Sequence, residues 1–142
     1  MNSKFRMSSQ NFVALDVGEK RIGVAVADDA VRIAVPFQTI EVDGNEIATI
    51  AEVVINQGAK TVIIGYPRNQ QGEATAQTSY VEKFAEQLAD LDAELVFQDE
   101  SLTSVIAEQR LVAQKKPYSK GDIDAQAASI ILQDYLEAKY GY

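Results

Sequence analysis

The chain has no cysteine and no histidine among its 142 residues. Without cysteine there is no disulfide, no thiol nucleophile and no thiolate metal site. Without histidine there is no imidazole base, no Ser-His-Asp triad and no common zinc site. Any catalysis must come from carboxylates, lysine, arginine, hydroxyls or a hard metal ion, and oxygen-only ligand sets suit Mg²⁺ or Mn²⁺. Positive charge is also scarce: 13 Lys and Arg stand against 21 Asp and Glu, a net charge of −8. A protein that gripped nucleic acid through overall charge would be basic. Nucleic-acid binding here would need a local basic patch, or a metal bridging carboxylate to phosphate. No apolar run reaches the ~18–20 residues that span a bilayer, and the opening MNSKFRMSSQ has no signal-peptide apolar segment. These features imply a cytoplasmic protein with no membrane partner. Residues 1–10 are expected to form a tail, and residues 11–142 a single domain.

What is present centres on Phe12 to Asp28, FVALDVGEKRIGVAVAD. Two apolar runs, Phe12–Leu15 and Ile22–Ala27, flank a polar turn with Gly18, the pattern of a β-hairpin. Arg32–Ile40 reads as a third strand, which Pro36 pushes toward a sheet edge or a bulge. Ile47, Ile50, Ala51 and Val54 then recur at helical spacing between an Asn45 N-cap and a Gly58 C-cap. Lys60–Gly65 is a buried strand followed by the polar loop YPRNQQGEAT. Gln77, Val81, Phe84, Ala85 and Leu88 predict a second helix, and Glu94–Gln98 another strand. Thr103 or Ser104 can cap a third helix whose inward residues include Ile106 and Leu111. After the loop KKPYSKGD, a last helix runs from near Asp122 to about Ala138. The order β-β-β-α-β-α-β-α-α predicts an α/β fold, with a mixed five-stranded sheet, an antiparallel opening meander and helices packed on it. In such sheets reactive groups gather at the carboxyl ends of the parallel strands.

Three carboxylates fall where that architecture could unite them. Asp16 stands where the first strand runs out, and a charge on an apolar strand needs a partner. Glu100 lies just past Glu94–Gln98. Asp124, in the first turn of the last helix, heads a stripe of Ala127, Ala128, Ile131, Leu132 and Tyr135. From Asp122 the same steps reach Ala125, Gln126, Ser129 and Gln133, a wetter face, so Asp122 reads as an N-cap. Converging carboxylates repel one another, and one or two divalent cations would resolve the conflict and create a phosphoryl-transfer centre. Simpler roles exist for each: Asp16 capping the turn at Gly18 or Glu19, Glu100 solvated in a loop, Asp124 serving only a helix start. Lys20, Arg21, Arg68, Lys115, Lys116 and Lys120 lie in or beside loops and could steer a phosphate backbone, and Tyr66 and Tyr118 could stack on unpaired bases. Gly65–Gly72 lacks the Lys-Ser/Thr of a P-loop. The D-x-G hairpin also opens sugar-kinase and actin-like folds, but those enclose nucleotide between two such domains.

LDVGEKRIGVAVAD, VIIGYPRNQQG, FQDESLTSVIAEQRL and DIDAQAASIILQDYL resemble the four signature blocks of the YqgF family. That family is also called RuvX-like, and is described both as Holliday junction resolvases and as pre-16S ribosomal RNA nucleases. The blocks cover Phe12 to Leu136 in family order. The resemblance implies a ribonuclease H-like fold, a cytoplasmic bacterial protein, and a metal-dependent nuclease maturing the 5′ end of small-subunit ribosomal RNA. It also implies that Asp16, Glu100 and Asp124 are catalytic and hold Mg²⁺ or Mn²⁺. Partners would be pre-rRNA, ribosomal precursor particles or a four-way DNA junction, with the protein a monomer or homodimer. A non-catalytic RNA-binding module is the third reading. The chain departs from the family pattern at Ser101, where Arg is usual, leaving phosphate contacts there to Lys20 and Arg21.

Overall fold

The computed structural model describes residues 10–67, 71–100 and 103–141. Three strands open the chain: β1 (Asn11–Val17), β2 (Arg21–Asp28) and β3 (Val35–Glu41). Then follow α1 (Glu46–Gln57), β4 (Ala59–Pro67), α2 (Ala76–Glu86), β5 (Glu94–Glu100), α3 (Thr103–Ala113) and α4 (Lys120–Tyr140). The sheet order is β3-β2-β1-β4-β5. β1, β2 and β3 pair antiparallel, while β1–β4 and β4–β5 are parallel. The mixed sheet expected from the element order is the one observed.

Strand alternation divides the core into two layers. Val13, Leu15, Ile22, Val24, Val62 and Ile64 face one way, onto Ile50, Val53 and Val54 of α1 and Val81, Phe84 and Ala85 of α2. Phe12, Ala14, Ala25 and Ile63 face the other way, onto Ala128, Ile131 and Leu132 of α4. By the same alternation Asp16 belongs to the α4 face. α3 packs on the flank of α4 through Ala107 against Ala127 and Ile130.

Several local expectations need correction. The third strand begins at Val35 rather than Arg32, because residues 29–34 form a turn and an irregular segment in which Arg32 has φ 62°. Pro36 does sit on an edge strand, opposite a register shift between Val24 and Ala25. Asn45 occupies the N-cap of α1 but its side chain makes no capping bond, whereas Gly58 closes that helix in the left-handed conformation expected of it (φ 64°). Ile106 is 37% exposed, and Ala107 with Leu111 supplies the buried side of α3 instead. Asp122 is not an N-cap. Ser119 caps α4, and Asp122 is its reciprocal third-position partner, an arrangement that starts the helix two residues early. Ala125 and Ser129, read as a wet face, are buried, because α4 is covered by α3 as well as by the sheet. The expected tail lies almost wholly outside the described residues.

Candidate active site

Asp16 does not end its strand; β1 continues to Val17, and Asp16 pairs in register with Gly23 of β2. On the other side, one step beyond the Leu15–Ile64 pair, Asp16 comes level with Gly65 of β4. Both lateral neighbours are therefore glycine, a residue that in a strand interior marks close approach by something else. At Gly23 a β-carbon would overlap the carbonyl oxygen of Asp124. At Gly65 it would overlap Oε2 of Glu100 and stand 2.6 Å from Cδ1 of Ile131. The two glycines let the start of α4 and the Glu100 side chain close over Asp16.

Glu100 is the last residue of β5, paired with Pro67, and is half-buried. It is not a solvated loop residue as its sequence position allowed. Its Oε2 is buried and has no hydrogen-bond partner among the described residues. Asp124 lies in the second turn of α4, since the helix starts at Lys120, and it is half-buried beside the sheet. Asp16 does not cap the hairpin turn at Gly18, whose amide donates instead to the Arg21 carbonyl at 3.0 Å.

Burial, then the charges of Glu100 and Asp124, push the Asp16 carboxyl up to about 8. Burial pushes Glu100 up to about 7. Asp16, Glu100 and Asp124 thus stand near one another at the end of the sheet, and the charges of the last two oppose ionisation of Asp16. Asp124 has a counter-ion: Arg21 Nε donates to its Oδ2 at 2.6 Å, with the side chains 30% and 22% exposed. This bond holds the Arg21 proton more firmly than usual, with the field of Asp124 adding to it.

A divalent cation fits this site on its own features. All donors are carboxylate oxygens, one of them is buried and, among the described residues, without a hydrogen-bond partner, and the two glycines let α4 and Glu100 approach Asp16 closely. Among the described residues, however, no three acidic groups already stand as a ligand set.

The expected basic patch divides. Arg21 is engaged by Asp124. Lys20 is exposed in the β1–β2 turn, at the same sheet end as Asp16. Lys115, Lys116 and Lys120 are exposed around the start of α4, which Thr39 Oγ1 anchors to β3 by donating to the Gly121 carbonyl at 2.6 Å. Arg68 and Ser101 lie outside the described residues. Tyr66 donates to Glu82 at 2.6 Å, and its ring centroid is 4.9 Å from that of Phe97. Tyr118 donates to Glu108 at 2.7 Å. Sequence reading missed Gly23 and Gly65, and it missed Gln77 Nε2, which donates to the Val17 carbonyl at 3.2 Å. The glycines left a signal, each a lone gap in an apolar strand.

The family model described as "RuvX: Holliday junction resolvase" matches residues 10–138. A Chloroflexus aggregans protein named "Putative pre-16S rRNA nuclease" is 44% identical over 138 residues, 94% of this chain and 97% of its own. A Synechocystis protein of the same name is 41% identical over 132 residues, covering 89% and 87%. Among solved structures, Thermus thermophilus RuvC in complex with Holliday junction substrate superposes with a TM-score of 0.59 at 14% identity, covering 93% of this chain and 96% of that one. The fowlpox virus resolvase with substrate junction DNA gives 0.54 at 13%, covering 92% and 99%. At such identities these structures establish the fold alone.

Proposed function

The chain belongs to the RuvX family, and from that premise we propose that it is a metal-dependent nuclease hydrolysing phosphodiester bonds in structured RNA. Its substrate is the 5′ region of pre-16S ribosomal RNA, free or in precursor particles, in the cytoplasm. The observation that carries this reading is the buried Oε2 of Glu100 beside Asp16, without a hydrogen-bond partner among the described residues, at a sheet end where Asp124 also stands half-buried. Asp16, Glu100 and Asp124 would hold Mg²⁺ or Mn²⁺. Such an ion, when bound, supplies an activated water and neutralises charge on the leaving oxygen. Asp16 and Glu100 would meet it as full carboxylates, since a cation favours the ionised form that burial disfavours. Lys20, Lys115, Lys116 and Lys120 would hold the phosphate backbone across the site, placing the scissile phosphate without reading sequence. They offset the repulsion an RNA meets from a protein of net charge −8.

The test is cleavage of a labelled pre-16S RNA fragment with Mg²⁺, Mn²⁺ or chelator, by wild type and by Asp16→Asn. Metal-dependent cutting lost in the variant is expected; chelator-resistant cutting, or an unimpaired variant, would falsify the reading. The family's description as a resolvase favours a second reading, cleavage of four-way DNA junctions. Two-fold cutting of a junction calls for a dimer, so the same assay run on a junction, with the mass in solution measured alongside, separates the two.

A further inference from the structure

Arg21 was expected among the residues that touch phosphate, yet its guanidinium is committed inside the site. Its Nε donates to Oδ2 of Asp124 at 2.6 Å, joining residues 103 apart in sequence, and no other ion pair among the described residues involves Asp16, Glu100 or Asp124. A second carboxylate waits beside it. Glu41 of β3 stands directly across the β2–β3 ladder from Arg21, and is exposed. Arg21 therefore lies between an acidic residue of the site and one outside it.

We propose that Arg21 is a resident cation of the carboxylate cluster, a positioning residue that holds Asp124 until a divalent ion displaces it and then turns to Glu41. The proposal rests on the reading that these carboxylates bind a metal. Three observations converge on it. The pair occupies an oxygen that a divalent ion would need, and an ion-paired hydrogen bond of this length is among the stronger polar contacts. The described acidic groups do not yet form a ligand set, although the turn of α4 that carries Asp124 lies against Gly23, the strand partner of Asp16. And Glu41, exposed directly across the ladder, offers a released guanidinium a second carboxylate partner. Metal entry then exchanges one cation for another at Asp124, so that Asp124 keeps a counter-ion in both states. Arg21 sets how much free metal is needed to load it.

The test is Mn²⁺ titration by calorimetry, without nucleic acid, on wild type, Arg21→Gln and Glu100→Gln. Removing the competing cation should tighten Mn²⁺ binding by roughly tenfold, the scale of one charge-assisted bond, while Glu100→Gln weakens it. Thermal unfolding adds a signature that a purely structural arginine would not give. Arg21→Gln should melt below wild type without Mn²⁺, and the gap should close at saturating Mn²⁺. Arg21→Lys keeps the charge but lacks Nε, and serves if the glutamine variant does not fold; it too should gain affinity. Wild-type binding with unchanged or weaker affinity in the folded variant overturns the role of Arg21 and leaves the metal site standing. If neither wild type nor variant binds Mn²⁺, the metal reading falls and this proposal falls with it.

Discussion

An ionised Asp16 would be half-buried with Glu100 on one side and Asp124 on the other, and the fold holds protons on this cluster that an unfolded chain would release. The sign of the pH dependence follows. For carboxyls raised to about 8 and about 7, the stabilising contribution is complete below the ordinary carboxylate range near 4 and is lost as pH rises through 7 to 8. Urea unfolding without divalent metal should therefore show a midpoint that declines between pH 5 and pH 8.5; a level profile would contradict the burial and coupling of these groups. Asp16→Asn removes a charge without removing volume. It should raise stability at pH 8 by on the order of 2 kcal/mol and cut the cleavage rate by roughly a thousandfold or more, about 4 kcal/mol of barrier. Rate and melting temperature moving in opposite directions would separate a functional carboxylate from a structural one.

At the level of strands and helices, the site exists because two glycines let α4 and the end of β5 lie against the sheet. The neighbour at Gly23 is α4 backbone, which cannot rotate away. Gly23→Ala should displace the helix and cost about 3 kcal/mol, roughly 10 °C of melting temperature. The neighbours at Gly65 are the ends of the Glu100 and Ile131 side chains. Gly65→Ala should cost less, about 1 kcal/mol, but turn Glu100 away and weaken Mn²⁺ binding more than Gly23→Ala weakens it. Equal stability losses would contradict this division. The order of elements and the mixed sheet were legible in the sequence because apolar periodicity locates strands and helices. Asp16, Glu100 and Asp124 stood out as candidates because acidic residues interrupt or follow apolar runs; the lateral order of the strands was not read. The Arg21–Asp124 pair was not legible because its partners are 103 residues apart, and only α4 crossing β2 brings them together. Ile106 and Ser129 were misplaced for a related reason. Helical spacing reports one buried face, and it cannot say that α3 and α4 cover one another.

For the molecule as a whole, the arithmetic of charge bounds how the proposed RNA substrate would be held. A net charge of −8 leaves four exposed lysines, Lys20, Lys115, Lys116 and Lys120, around the site end and the start of α4. If each neutralises one phosphate, log affinity for single-stranded RNA should fall with log salt at a slope no steeper than about −3. Filter binding from 50 to 300 mM salt measures it, and a slope near −7 would mean that a larger basic surface is engaged. Lys116→Ala should flatten that slope by about 0.7 without altering the preference between RNA sequences. The central claim is that Asp16, Glu100 and Asp124 share one divalent ion, and anomalous diffraction from crystals grown with Mn²⁺ addresses it most directly. The account predicts a Mn²⁺ peak touching all three carboxylates, with Arg21 withdrawn from Asp124. A fully loaded crystal with Mn²⁺ elsewhere on the surface and the Arg21–Asp124 pair intact would contradict it.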